Sequence, residues 1–277
     1  MPRLVAEPVI VEDAFAAPQI AALRGVLDGC RALMASEARA SAKAGKPVTR
    51  PNSISFEALF KLDAGSLAKA AASTFLNSRA HDFAVEQFPD GYCFLLRYCS
   101  ARYHDPASAK SHLALHFDAN FLGLGGKAIN VWVPLDDLGD GVPGLTFLSP
   151  DADATQLYRA WKGQHDARVA KAGATAAVDA FFSFDDVRAL YAHLGADVFR
   201  SPHIRAGGFI AFHQLVPHAT EIVSVTPKPR ASLEFRIAGV STLPERFRAG
   251  DFWVAVPKRD QQDVWQVEPI LTRNLVT

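Results

Sequence analysis

The spacing of hydrophobic residues changes along the chain. From about Pro18 to Arg39, Ile20, Leu23, Leu27, Cys30 and Leu33 recur every three or four residues. That is the period of a helix with one buried face. Ahead of it, Leu4 to Val11 reads as a short strand interrupted by Pro8, and Glu12-Asp13 leads into the helix. Behind it, Ala40 to Ser53 carries Lys43, Gly45, Lys46, Pro47, Arg50 and Pro51 with no acidic residue, which predicts a mobile loop. A second helical stretch is predicted over Leu67 to Asn77.

Near Tyr92 the pattern shortens. Cys93–Tyr98, His112–Asp118, Lys127–Leu135, Gly144–Leu148, Gly208–His213 and Ala231–Ile237 read as strands, separated by Gly- and Pro-rich turns such as Gly141-Val142-Pro143-Gly144. Short strands in this number predict a mainly β protein with flanking helices, built as an antiparallel barrel or double sheet. Ala154 to Gly195 interrupts them with a helical pattern (Leu157, Trp161, Val187, Leu190, Tyr191, Leu194), placed to act as a lid.

The 277 residues suit a single domain. Its expected parts are an N-terminal strand and helices over 1–90, a barrel core over 91–150 and 204–240, a helical insertion over 151–203 and a C-terminal extension over 241–277. Hydrophobic residues at 49% and charged residues at 21% describe a folded globular chain and argue against disorder. With 29 basic and 29 acidic side chains the net charge is zero, which argues against nucleic acid as a partner. No run is long enough to span a bilayer. The N-terminus does not resemble a signal peptide. Cys30, Cys93 and Cys99 follow no zinc spacing and read as reduced thiols of a cytoplasmic protein. Oligomeric state is not legible.

Candidate chemistry begins at His116-Phe117-Asp118. In a strand, alternate side chains share a face, so an imidazole and a carboxylate project together. Two histidines and one carboxylate on one face of an octahedron leave positions open, the arrangement of non-haem iron oxygenases. The third ligand must come from elsewhere. His218, just past an apolar strand, and His213, within it, both qualify.

In Arg230-Ala231-Ser232-Leu233-Glu234-Phe235-Arg236 the apolar and polar residues alternate. The polar set is either a solvated face or a clamp. Arg230 supplies a planar fork and Ser232 a hydroxyl, which together suit a carboxylate. Asn130 and Trp132 share a face of their own strand and either line a pocket or belong to the core.

Taken in order, these pieces resemble the phytanoyl-CoA dioxygenase-like family of Fe(II)/2-oxoglutarate oxygenases. The matching segments are His116-Phe117-Asp118, Asn130-Val131-Trp132-Val133-Pro134-Leu135-Asp136-Asp137, Pro143 through Pro150, and Gly208 through Arg236. The resemblance covers about Tyr92 to Gly239. It departs from the family at Gly207-Gly208, where Gly-Asp is usual, and at His112-Leu113-Ala114-Leu115, where Trp or Gln often stands.

The resemblance implies a double-stranded β-helix, the jelly roll of cupin-like barrels. It implies iron(II) held by His116, Asp118 and His218, and 2-oxoglutarate and dioxygen as cosubstrates. His218 is preferred over His213 because Arg230, twelve residues on, then takes the place of the family's carboxylate-binding arginine. Arg230, Ser232 and Asn130 are the implied cosubstrate residues, and Trp132 a pocket residue. A carboxylate at 118 implies hydroxylation or another oxidation, not halogenation. The substrate is expected to be a small metabolite met by the Ala40–Ser53 segment and the insertion.

Two other readings compete: a barrel that binds a ligand without oxidising it, and a cupin-type metalloenzyme with no need of Arg230. His104-Asp105 and His165-Asp166 are set aside because adjacent strand residues point apart. Leu122 to Lys127 is glycine-rich but lacks the residues of a phosphate loop and reads as a turn. Arg236 is a fallback for the clamp, with Glu234 as its expected partner.

Overall fold

The computed structural model describes residues 7–45, 52–108, 111–122, 126–148, 167, 170, 199–223, 226–243, 253–257 and 265–269. The predicted lid apart from 167 and 170, His165-Asp166, Gly123 to Gly125, and Lys46 and Arg50 lie outside these residues.

A strand β1 (Val9–Val11) precedes the long helix α1 (Ala17–Lys43), whose buried face is Leu23, Val26, Leu27 and Cys30. The helix runs four residues into the segment expected to be a loop. Ala40, Ala42 and Lys43 are strong helix formers, and the helix ends only before Gly45, at φ +65°. A short strand β2 (Ser53–Ser55) follows, then α2 (Phe56–Leu62), α3 (Ser66–Leu76) and α4 (Arg79–Gln87). Two of these helices were not legible in the spacing. They are seven and nine residues long, barely two turns, and each is started by a serine cap (Ser55, Ser78).

The larger sheet runs β1–β8 (Phe209–His213)–β5 (Ala128–Pro134)–β10 (Arg230–Gly239)–β3 (Tyr92–Leu95)–β11 (Trp253–Pro257)–β12 (Trp265–Pro269), with β4 (Ser100–His104) joining β10 to β2. The smaller sheet is β7 (Phe199–Arg200)–β6 (Leu145–Leu148)–β9 (His218–Thr220). All named pairings are antiparallel. Together the sheets form the double-stranded β-helix of the cupin-like jelly roll, with the helices on one side.

Alternation along β10 assigns its two faces. Ala231, Leu233, Phe235 and Ile237 pack outward into the core shared with α1 to α4, where Phe235 meets the rings of Phe56, Phe75 and Phe94. Arg230, Ser232, Glu234 and Arg236 turn inward, between the sheets, and each is at most 4% exposed. The solvated-face alternative is therefore excluded.

The predicted strand His112–Asp118 is absent. Only His116 pairs, in an isolated bridge to His218 with reciprocal N–H···O contacts of 3.0 Å. The chain then turns. The Asp118 carbonyl accepts from Phe121 and Leu122 and opens the single-turn helix α5 (Ala119–Leu122). The three cysteines are free and buried. No described helix is long and apolar enough to cross a membrane.

Candidate metal centre and anion cradle

His116, Asp118 and His218 are each at most 3% exposed, and one ligand atom from each lies within 4.8 Å of the others. His116 and Asp118, two residues apart, reach the cluster together as expected, although only His116 pairs as in a strand. The His116–His218 pairing sets the two imidazoles side by side, with centroids 4.2 Å apart. Phe117 between the two ligands is buried with Leu115, Ala119 and Ala219, and the chain turns only from Asp118 onward. Asp118 Oδ1 lies 3.7 Å from Nε2 of each ring.

Each imidazole is held from behind by its own backbone. His116 Nδ1 lies 2.8 Å from the Ala114 carbonyl, and His218 Nδ1 lies 3.0 Å from that of Val216. A carbonyl can only accept, so Nδ1 carries the proton and Nε2 keeps its lone pair toward Asp118. Metal-binding histidines are oriented in this way. Burial, and then the neighbouring His218, push the His116 pKa down to about 3, and burial lowers that of His218. Both rings are neutral at physiological pH. Burial would raise Asp118, but the opposing influences, led by the Arg236 guanidinium, together hold the carboxylate below its usual range. Two neutral nitrogens and one carboxylate fit a divalent first-row transition metal.

His213 is elsewhere. Its register partner is Ile129, on the helix-facing side of the sheet, and its Nδ1 accepts from the Leu215 amide at 3.2 Å.

Arg230 is 4% exposed, and its Nη1 donates to the carbonyls of Pro143 (2.6 Å) and Gly144 (2.9 Å). Its guanidinium lies over the Trp132 ring at 4.9 Å. Burial lowers its pKa to about 10, which still leaves it charged at neutral pH. Among the described residues, no acceptor meets the buried Arg230 Nε or Trp132 Nε1, and Ser232 Oγ has no partner. Buried polar groups are nearly always paired, so unpaired donors on one interior wall mark a place for an anion or other acceptor.

Asn130 Nδ2 reaches Asp118 Oδ2 at 3.5 Å, which sets this residue at the metal cluster. Trp132 packs with Leu145, Phe147, Ile210 and Phe212 between the sheets. Arg236 points at Asp118 with both prongs and pairs with Glu234 at 2.8 Å, so it is not available as a carboxylate clamp.

His104, set aside in the sequence, also lies in the interior. His104 stands opposite Arg230 in the β4–β10 register, is 2% exposed, and leaves Nε2 without a partner. Burial, then Arg230 and His112, lower its pKa to about 4. Adjacent residues do point apart, but that excludes a joint role with Asp105, not a role for His104 alone.

By sequence, the chain matches no protein-family model and no curated protein. Solved structures do match. EctD from S. alaskensis with bound Fe is 20% identical, with 87% of this chain aligned to 78% of that one at a TM-score of 0.54. EctD with 2-oxoglutarate and 5-hydroxyectoine gives 18%, 87%, 77% and 0.54. The nickel complex of ThoJ, a non-haem monooxygenase, gives 16%, 96%, 85% and 0.52. At these identities the likeness lies in the fold: this chain shares the jelly-roll architecture of structures solved with iron, nickel or 2-oxoglutarate.

Proposed function

We propose that this protein is a non-haem Fe(II)/2-oxoglutarate-dependent oxygenase that hydroxylates a small molecule, of the phytanoyl-CoA dioxygenase-like type. The observation that carries the reading is a pairing within one interior. Two neutral imidazoles and a carboxylate converge on a point, and the same interior holds a buried arginine and serine with unsatisfied polar atoms. A metal alone explains the first group and not the second. A dicarboxylate that chelates the metal at one end explains both.

In this reading His116, Asp118 and His218 hold iron(II), and Arg230 with Ser232 binds the far carboxylate of 2-oxoglutarate. When bound, the iron and keto acid supply the oxidising chemistry: dioxygen and 2-oxoglutarate are consumed, succinate and carbon dioxide leave, and one oxygen atom enters the substrate. The chain contributes orientation and dryness. The carbonyls of Ala114 and Val216 fix the imidazoles. The rings of Phe212 and Phe147, 4.4 and 6.3 Å from that of His218, keep water from the centre. The Trp132 face and the Pro143 and Gly144 carbonyls hold the Arg230 fork in place before any anion arrives.

The test is anaerobic addition of iron(II) and 2-oxoglutarate to metal-free protein, followed by visible absorption. A charge-transfer band of the chelated keto acid is expected. It should vanish in His116→Ala. In Arg230→Ala it should need roughly ten- to a hundredfold more 2-oxoglutarate, since a hydrogen bond to a charged group is worth about 1.5–3 kcal/mol. Iron binding without the band would point to a cupin-type enzyme independent of 2-oxoglutarate. No iron binding would leave a ligand-binding barrel.

A further inference from the structure

Both oxygens of Asp118 are gripped by Arg236: Nε donates to Oδ2 at 2.9 Å and Nη2 to Oδ1 at 3.0 Å. Yet the guanidinium does not depend on Asp118 for its place. Its Nη1 donates to the Tyr98 carbonyl at 2.6 Å and to Glu234 Oε2 at 2.8 Å, and it lies 5.2 Å over the Phe121 ring. Glu234 is anchored in turn by Arg102, whose Nε is 2.6 Å from Oε1. The result is an alternating chain of charges, Arg102, Glu234, Arg236, Asp118, running from a partly exposed arginine to the metal cluster. Three groups other than Asp118 fix the fork, so the fork dictates how the carboxylate stands. Left alone, a carboxylate rotates over a broad, roughly two-fold torsion and offers one oxygen or two. Here Oδ2 is turned toward Arg236 Nε and Asn130, while Oδ1 lies 3.7 Å from each imidazole Nε2.

We propose that Arg236 is a positioning residue of the metal centre: anchored by Glu234 and Tyr98, it holds Asp118 so that Oδ1 alone is offered to the metal shared with His116 and His218. This rests on the metal-centre reading above, but not on 2-oxoglutarate or on oxygen chemistry. The competing account makes Arg236 only the counter-charge of metal-free protein, released when a cation arrives.

The experiment is titration of metal-stripped protein with cobalt(II), reading affinity and the visible d–d spectrum, alongside the unfolding temperature of the metal-free form. Loss of a residue that orients a metal ligand typically weakens binding 10- to 100-fold. Arg236→Gln is therefore expected to bind cobalt(II) weaker by about that factor, with a changed spectrum. Arg236→Lys, which keeps the charge without the fork, should recover only part of both. A folded Arg236→Gln protein with wild-type affinity and spectrum overturns the proposal. Should that variant not fold, wild-type protein decides, through the Nε–H resonance of Arg236 with and without zinc(II). A hydrogen-bonded, slowly exchanging signal that survives loading supports positioning; its collapse into fast exchange overturns it. Wild-type protein that binds no cobalt(II) is a different failure, that of the metal centre itself.

Discussion

At the residue scale, several histidines lie inside the protein as neutral rings. His104, His116 and His213 are at most 7% exposed, and burial is the largest cause of their depressed pKa values, about 4, 3 and 4 against an ordinary 6.5. The sign follows from proton counting. Between pH 6.5 and about 4 the unfolded chain binds protons at these rings and the folded chain does not. The stability that they contribute is complete above pH 6.5 and is lost as pH falls through the window. The slope is up to about 1.4 kcal/mol per pH unit for each ring. Metal-free protein is thus expected to unfold at clearly lower urea at pH 5 than at pH 7; equal midpoints would mean that the rings titrate freely. The candidate ligands were legible in the sequence because residue type limits chemistry. What the spacing overstated was the length of the strand around them. A single ladder pairing at His116 stands where a seven-residue strand was expected, and a helix opened by the Asp118 carbonyl follows at once.

At the element scale, β10 does the most. Its outward residues anchor the helices and its inward residues carry the interior charges. Phe235 has no exposure and touches three aromatic rings, so Phe235→Ala should cost about 3–5 kcal/mol, measured by denaturant unfolding. The turn before β8 shows why glycines stand at Gly207-Gly208. Gly207 has φ +103°, and a Cβ on Gly208 would sit 2.9 Å from the Val11 carbonyl oxygen of neighbouring β1. Gly208→Ala is expected to push β1 away and destabilise the protein by about 1–3 kcal/mol, read by the same unfolding measurement. The alternation of β10 was plain in the sequence. Which face was wet was not, because a run of Arg, Ser, Glu and Arg suits solvent as well as a buried network, and only the second sheet and its neighbouring charges decide.

At the scale of the whole molecule, the cluster joins the two sheets. His218 belongs to the smaller sheet and His116 is bridged to it, while Asp118 is tied to Arg236 and Asn130 on the larger one. A bound metal should therefore act as a clip across the jelly roll. Zinc(II) or nickel(II) at a hundred times its dissociation constant is expected to add about 2.7 kcal/mol of stability, seen as a rise in unfolding temperature and absent in His218→Ala.

The sequence by itself determined the periods of strand and helix, the residue types able to hold a metal and an anion, and the order in which they occur, because these depend on composition and local spacing. The tertiary structure decided the rest. It set His218, not His213, beside His116 and Asp118, and turned the polar face of β10 inward. It also gave Arg236 to Asp118 and placed His104 opposite Arg230. These outcomes depend on which strands become neighbours and what each face then packs against. Such pairings join residues as far apart as Asp118 and Arg236, and no local pattern records them.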